Sequence, residues 1–360
     1  MKKIFLIGLI VLSLCGCKKA TTTNVAKTFQ DDVANTKSYY IEGTMQIIGD
    51  EDTFTYSIET TYLKDNNYKV KLVNQTNNHE QIILRNSEGV YVITPSLNKS
   101  FKFQSEWPNN SSQSYILEAL AKDIKNTKDV KAKEDNNKLI IETTVNYPNN
   151  DELTKQRIIL DKDAKLKQVE VLDNKGNVKI KLNVNKLDMR YNANKDDFEL
   201  QNFIEETEEN NNDNDSENKT ENKEQNTNKA ENEQCTDNKC KKTSTLDQAI
   251  YPLYIPSETK LTNTEKIETD NGDRVILTFS GEKNFVLVEE PSAVYDEHEI
   301  IPVYGDPLMM QDTIAVISDN SIYWTSNNID YYLTSKDLEN TEILSIANSL
   351  GNTISVSASK

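Results

Sequence analysis

The sequence predicts an α+β fold: an extended antiparallel sheet covered by helices, then a smaller β-rich domain closed by a terminal helix. Three observations predict it. Apolar residues recur with a period of two through residues 38–72 and again through 178–184. Two amphipathic stretches accompany these runs, and one strongly polar tract divides the chain of 360 residues. A period of two marks strands with one wet and one buried face, and helical spacing marks the covers.

The strands come first. Tyr39, Ile41, Met45 and Ile47 share one face, as do Phe54, Tyr56, Ile58, Thr60 and Tyr62 in the next run. Tyr68, Val70 and Leu72 continue the pattern, and Val178, Ile180, Leu182 and Val184 alternate with Asn177, Lys179, Lys181 and Asn183. Turn signals separate the runs at Gly49-Asp50, Asp65-Asn66-Asn67, Thr76-Asn77-Asn78, Pro148-Asn149-Asn150-Asp151 and Asn174-Lys175-Gly176. Helices are expected over 24–36 and over 112–125, the second capped by Ser112 with Tyr115, Ile116, Leu120 and Ile124 on one side. The order is therefore helix, about five strands, helix, and about five more strands.

The extreme N-terminus reads as an export signal. Lys2 and Lys3 precede an apolar run from Ile4 to Leu14, too short to span a bilayer, which takes about 20 residues. Leu14-Cys15-Gly16-Cys17 has the form of a bacterial lipobox, so cleavage is expected after residue 16, with acyl chains of the palmitate type on Cys17. Two or three such chains anchor a protein stably without a spanning helix. The expected location is the extracytoplasmic face of the cell membrane, lipid-anchored.

Charge then divides the remainder into a first domain over 17–204, a linker over 205–243 and a second domain over 244–360. The formal net charge of −17 is unevenly spread: +2 over residues 1–204, −6 over 205–243 and −13 over 244–360. The linker has no aromatic or branched aliphatic residue, so burial cannot offset its ordering entropy, and it reads as disordered. It holds Cys235 and Cys240 in a C-x4-C spacing, which suits a local disulfide or two free thiols. Four zinc ligands are not at hand, so no metal is expected there.

In the second domain Tyr251-Pro252 and Ile255-Pro256 open with extended segments. Strands are expected from Arg274 to Phe279, Asn284 to Glu289, Thr313 to Ile317, Ser321 to Thr325 and Ile329 to Thr334, then a helix over 337–350 stopped by Gly351. Glu289, Glu290, Asp296, Glu297, His298 and Glu299 form its densest acidic cluster, which reads as a solvated loop or a hard-cation site without an EF-hand spacing.

Several function classes recede. The negative balance lacks the basic footprint of a nucleic-acid binder. His79 and His298 are the only histidines, 219 positions apart, leaving little for a His-based nucleophile system or metal site. No G-x-S-x-G elbow, P-loop, dinucleotide glycine motif or H-E-x-x-H is present. No enzyme and no cofactor are expected; a carboxylate-based cell-wall hydrolase is the residual enzymatic alternative.

Three strings carry a family resemblance: GTMQIIG near the first strand, RNSEGVYVITPSLNKSFKFQSEWPNNSSQSYILEALAKDI in the middle, and QRIILDKDAKLKQVEVLDNKGNVKIKLNV near the end. Over residues 24–200 the chain resembles the lipoprotein-carrier fold of LolA, LolB and RseB, as in sporulation and germination lipoproteins of the YdcC and GerS type. The string IYWTSNNIDYYLTSKDLENTEILSIANSL similarly resembles the C-terminal domain of YdcC-like lipoproteins. The resemblance implies a curved half-barrel whose concave apolar face holds acyl chains or a partner segment. The groove residues would be Tyr39, Met45, Phe54, Tyr56, Tyr62, Trp107 and Tyr115; residue by residue the simpler reading is core beneath the helices, and the groove is expected of the set as a whole. It implies an acyl lipid, a lipoprotein, a cell-wall amidase or an anti-sigma protein as partner, in sporulation, germination or envelope maintenance. The alternative it offers is an RseB-like envelope-stress sensor acting on an anti-sigma factor.

Overall fold

The computed structural model describes residues 22–49, 52–204, 240–242, 246 and 248–350. Cys17, the signal segment, Cys235 and most of the expected linker lie outside the described residues.

Helix α1 (Thr22–Asn35) precedes six strands: β1 (Ser38–Ile48), β2 (Thr53–Leu63), β3 (Asn67–Asn74), β4 (Glu80–Asn86), β5 (Gly89–Thr94) and β6 (Lys99–Phe103). Helix α2 (Leu117–Asn126) follows, then β7 (Lys131–Asp135), β8 (Lys138–Thr144), β9 (Leu153–Asp161), β10 (Leu166–Asp173) and β11 (Val178–Asp188). The two runs join where β1 pairs antiparallel with β11, giving a sheet ordered β6-β5-β4-β3-β2-β1-β11-β10-β9-β8-β7. Hairpin chemistry explains part of the asparagine content. Asp65-Asn66 and Asn136-Asn137 take positive φ at both turn residues, as the tight turn between twisted strands requires. At Gly43, beside a register shift in the β1–β11 pair, any Cβ would sit 2.5 Å from the Asn183 carbonyl oxygen. Only glycine allows that approach, and bulges of this kind bend a strand.

The sheet is curved, and α1 and α2 cover one face. Val25, Phe29 and Val33 from α1 and Leu117, Leu120 and Ile124 from α2 pack with the inward residues of the strands. On the opposite face Phe198 and Phe203 cover Ile82, Leu84, Tyr91 and Ile93. Helix α2 begins five residues later than the Ser112 cap expected from sequence. Ser112 is spent elsewhere: its hydroxyl accepts the Asn146 N–H at 2.9 Å, and Ile116 stands at the helix N-cap.

The C-terminal part comprises β12 (Cys240–Lys242), β13 (Thr259–Thr269), β14 (Gly272–Gly281), β15 (Phe285–Pro291), β16 (Ala293–Tyr295), β17 (Glu299–Val303), β18 (Asp306–Met309), β19 (Ile314–Ser318), β20 (Ser321–Ser326), β21 (Ile329–Ser335) and α3 (Asn340–Leu350). Seven of these strands form a second antiparallel sheet, β13-β14-β15-β21-β20-β19-β18, while β12 pairs with β16. Its core gathers Leu277, Phe279, Trp324 and Leu333 with Ile343, Ile346 and Leu350 of α3.

The two sheets are joined by β17, which pairs parallel with β6 and becomes the twelfth strand of the first sheet. Around this seam Lys99 is buried and ion-paired to Asp330 at 3.1 Å, with the Tyr323 hydroxyl 3.1 Å from its Nζ. Asp330 also accepts from the hydroxyls of Ser292 (2.8 Å) and Thr325 (2.5 Å). Gln81 Oε1 accepts from the Ile314 N–H at 2.7 Å and the Thr313 hydroxyl at 3.1 Å. Asn98 donates to the Tyr295 carbonyl at 2.8 Å, and His298 Nε2 lies 3.0 Å from Ser100 Oγ. Burial holds both histidines below their ordinary pKa, and the Lys99 charge adds to this at His79.

Candidate ligand cavity between the two sheets

A cavity of about 640 Å³ lies where the first sheet faces the second. Its walls come from parts of the chain far apart in sequence. Strand alternation turns Met45 and Ile47 of β1, Ile83 of β4 and Ile180 of β11 toward it. From the second sheet come Leu308 and Met309 of β18 and the adjoining Met310 and Gln311. The loop before α2 gives Trp107, Asn110, Gln113 and Tyr115; the loop between β8 and β9 gives Tyr147, Asn149 and Asn150. The last two turns of α3 add Ser345, Asn348 and Ser349, and the exposed Leu253 and Tyr254 stand at the margin.

Hydrogen bonds fix these segments. The Arg85 guanidinium donates to the Trp107 carbonyl. Ser105 Oγ accepts the Trp107 N–H at 2.9 Å and donates to Asp306, whose same oxygen accepts from Asn110 at 3.0 Å. The Tyr56 hydroxyl donates to the Gln311 carbonyl at 2.8 Å, and Asn340 of α3 donates to Asn149 at 3.0 Å. Two acceptors on lining residues, Gln311 Oε1 and Asn348 Oδ1, are buried without a donor.

Of the residues singled out from sequence, the structure brings Met45, Trp107 and Tyr115 to the cavity. Tyr39, Tyr56 and Tyr62 are buried in the core, and Phe54 packs partly buried against it. An aromatic chain links these positions: Tyr39 stacks on Tyr62 at 4.9 Å, Tyr62 meets Tyr68 at 5.0 Å, and Tyr68 meets Trp107 edge-on at 6.1 Å. Beneath α2 the Tyr39 hydroxyl donates to Glu118 at 2.8 Å and accepts the Leu117 N–H at 3.2 Å. Burial pushes Glu118 up to about 7 against the lowering effect of that hydrogen bond, and pushes the Tyr39 hydroxyl up as well.

The contribution of the second sheet was not legible as a site. One signal existed: of five methionines in the chain, Met45, Met309 and Met310 all line the cavity, and Met is the adaptable residue of such surfaces. The acidic cluster is divided by the fold. Glu289 is wholly buried, with Oε2 accepting the Ile250 N–H at 2.9 Å and burial raising it to about 7. Glu290 pairs instead with Arg274 at 2.6 Å, and His298 turns to Ser100. Among the described residues no group of His, Cys, Asp and Glu is arranged to hold a metal ion. Cys240 opens β12, opposite Tyr295; Cys235, expected either to pair with it or to stay a free thiol, lies outside the described residues.

A curved sheet that carries a second sheet at one edge, with a ligand-sized cavity between them, defines an α+β protein of two joined sheets. The family model described as "Sporulation protein YdcC-like" matches residues 1–198, and the chain belongs to that family. It is 32% identical to Sporulation protein YdcC of Bacillus subtilis (strain 168) over 346 residues, covering 96% of this chain and 94% of that protein. Solved structures are more distant. The complex of MucA and MucB from Pseudomonas aeruginosa matches with 12% identity over 90% of this chain and 97% of that one, at a TM-score of 0.31. The LolA superfamily protein NE2245 from Nitrosomonas europaea matches with 10% identity over 51% and 99%, at 0.30. A chain from the CwlD amidase of Clostridioides difficile in complex with the GerS lipoprotein matches with 17% identity over 49% and 98%, at 0.21.

Proposed function

We propose that this chain is a lipoprotein of sporulation, anchored through Cys17 on the extracytoplasmic face of the membrane. Its cavity receives the acyl part of a lipid or lipoprotein, or an apolar protein segment. One observation carries the reading: a cavity of about 640 Å³ with an apolar wall of Met45, Ile47, Ile83, Ile180 and Met309. That volume falls within the roughly 300–1,000 Å³ typical of ligand pockets. Membership in the YdcC-like family supports the process, and the Leu14-Cys15-Gly16-Cys17 string supports the anchor. The role is binding rather than catalysis.

The test is capture of the anchored protein from sporulating cells, with mass spectrometry of both lipids and proteins. Acyl lipid that copurifies with the native chain and is lost from Met309→Trp supports lipid binding. A single protein partner without lipid, such as a cell-wall amidase or an anti-sigma protein, moves the reading to a protein segment. Recovery of neither overturns it. Cys17→Ser should shift the protein from the membrane to the soluble fraction; firm attachment of that variant contradicts the anchor.

A further inference from the structure

Resting on the reading of the cavity as a lipid-receiving site, we infer that its occupant is an uncharged amphiphile whose head group brings hydroxyl or amide N–H donors. The wall combines two kinds of group. Strands supply apolar groups: Met45, Ile47, Ile83, Ile180, Leu308 and Met309. Loops and α3 supply neutral hydrogen-bonding groups: Asn110, Gln113, Asn149, Asn150, Ser345 and Asn348. A fully polar ligand leaves the first set without apolar partners. A plain hydrocarbon strips water from the second without replacing its hydrogen bonds. An acyl chain ending in a polar head satisfies both.

Three further features describe that head. Gln311 Oε1 and Asn348 Oδ1, on half-buried side chains of the wall, are buried acceptors without a donor, and a head-group donor meets them once either amide turns toward the space its residue lines. Helix α3 presents its last two turns, through Ser345, Asn348 and Ser349. That end of a helix carries partial negative charge and carbonyl oxygens in search of donors. Finally, the charged lining residues are Glu152, Asp306 and Lys179, a net of one negative, with no arginine fork for a phosphate. The cavity is thus rich in acceptors and poor in cations, which disfavours an anionic head; a cationic head finds no free buried carboxylate either, because Asp306 already accepts from Ser105 and Asn110 and Glu152 is exposed to water. Acylglycerols and glycolipids share the uncharged, hydroxyl-bearing head that remains.

The test uses the purified full chain and three probes with the same oleoyl or oleyl chain: 1-oleoylglycerol, oleoyl-lysophosphatidylglycerol and oleylamine. Native mass spectrometry gives stoichiometry, and the change in Trp fluorescence gives affinity. The expected result is one 1-oleoylglycerol per chain, bound at least tenfold more tightly than the other two. Asn348→Leu should weaken 1-oleoylglycerol about fivefold, the worth of one neutral hydrogen bond, and leave the anionic probe unchanged. Met309→Trp, with its thermal melt confirming the fold, should abolish binding of every probe. Equal or tighter binding of the anionic or cationic probe, or no effect of Asn348→Leu, overturns this inference while lipid binding stands. Probe bound equally by Met309→Trp places it outside the cavity and overturns the inference. A dodecyl maltoside arm separates sources: displacement of 1-oleoylglycerol by it points to sugar heads, and its failure to bind points to glycerol. Failure of every probe to bind the native chain overturns the lipid reading itself.

Discussion

The interior of the first sheet and the seam that joins the second sheet to it are both buried, but different chemistry holds them. The interior is made of aliphatic and aromatic side chains, with Tyr39, Ile41, Val70, Leu120 and Leu182 fully enclosed. Such packing is non-directional and scales with the apolar area removed from water. The seam adds directional contacts to an apolar layer of Phe101, Ile301, Ile314, Val316 and Tyr323: the Lys99–Asp330 pair, the Gln81 amide and the β6–β17 ladder. The difference teaches where each kind of contact serves. Apolar burial gives each sheet its interior, and the directional contacts of the seam set the second sheet where β18 and α3 complete the cavity.

The largest expected effect is at the seam. Lys99→Ala leaves the Asp330 carboxylate buried without its cation and should cost about 3–5 kcal/mol in urea unfolding. Replacing both partners by Met and Leu should recover much of that loss, because the desolvation penalty disappears with the charges. A loss below about 1 kcal/mol, the worth of an exposed pair, would erase the contrast drawn above. In the interior, Leu120→Ala removes packing at a fully enclosed site and should cost about 2–5 kcal/mol, with no apolar double replacement able to imitate the seam's recovery.

A smaller effect follows from pH. Burial raises Glu289 to about 7 from an ordinary value of 4.5, so the folded chain keeps a proton that the unfolded chain releases. Its contribution is therefore fully present below about pH 4.5 and is lost as pH rises through 7, by up to about 3 kcal/mol. Glu118, in the other half, adds a slope of the same sign. Glu289→Gln should flatten the stability profile between pH 5 and 8 and raise stability at the alkaline end, by urea titration at each pH. A profile as steep as that of the native chain would remove Glu289 from this role.

Much of the fold was legible because it is local. The alternation around Tyr39, Tyr56 and Val70 became β1, β2 and β3, and the Asn327-Asn328 turn joins β20 to β21 with positive φ at both residues. What escaped was not local. β17 holds Ile301 and Val303 inward but pairs with a strand some 200 residues earlier, and no periodicity announces such a partner. β13 was missed because its central residues are exposed on both faces, so no apolar alternation marks it. The cavity shares this cause. Met45, Trp107 and Tyr115 could be singled out as large apolar residues, but Gln311 and Asn348 gain their meaning only from burial in a space that distant segments enclose.

The space between the two sheets is, on this reading, a binding site built by both. It is tested most directly by photo-crosslinking the full chain with a 1-acylglycerol that carries a diazirine near the end of its acyl chain, then mapping adducts by peptide mass spectrometry. Adducts are expected on both walls, in the peptides that contain Met45 and Ile47 and in those that contain Leu308 to Met310. Adducts confined to one half, or lying only outside the residues that line the cavity, would contradict it.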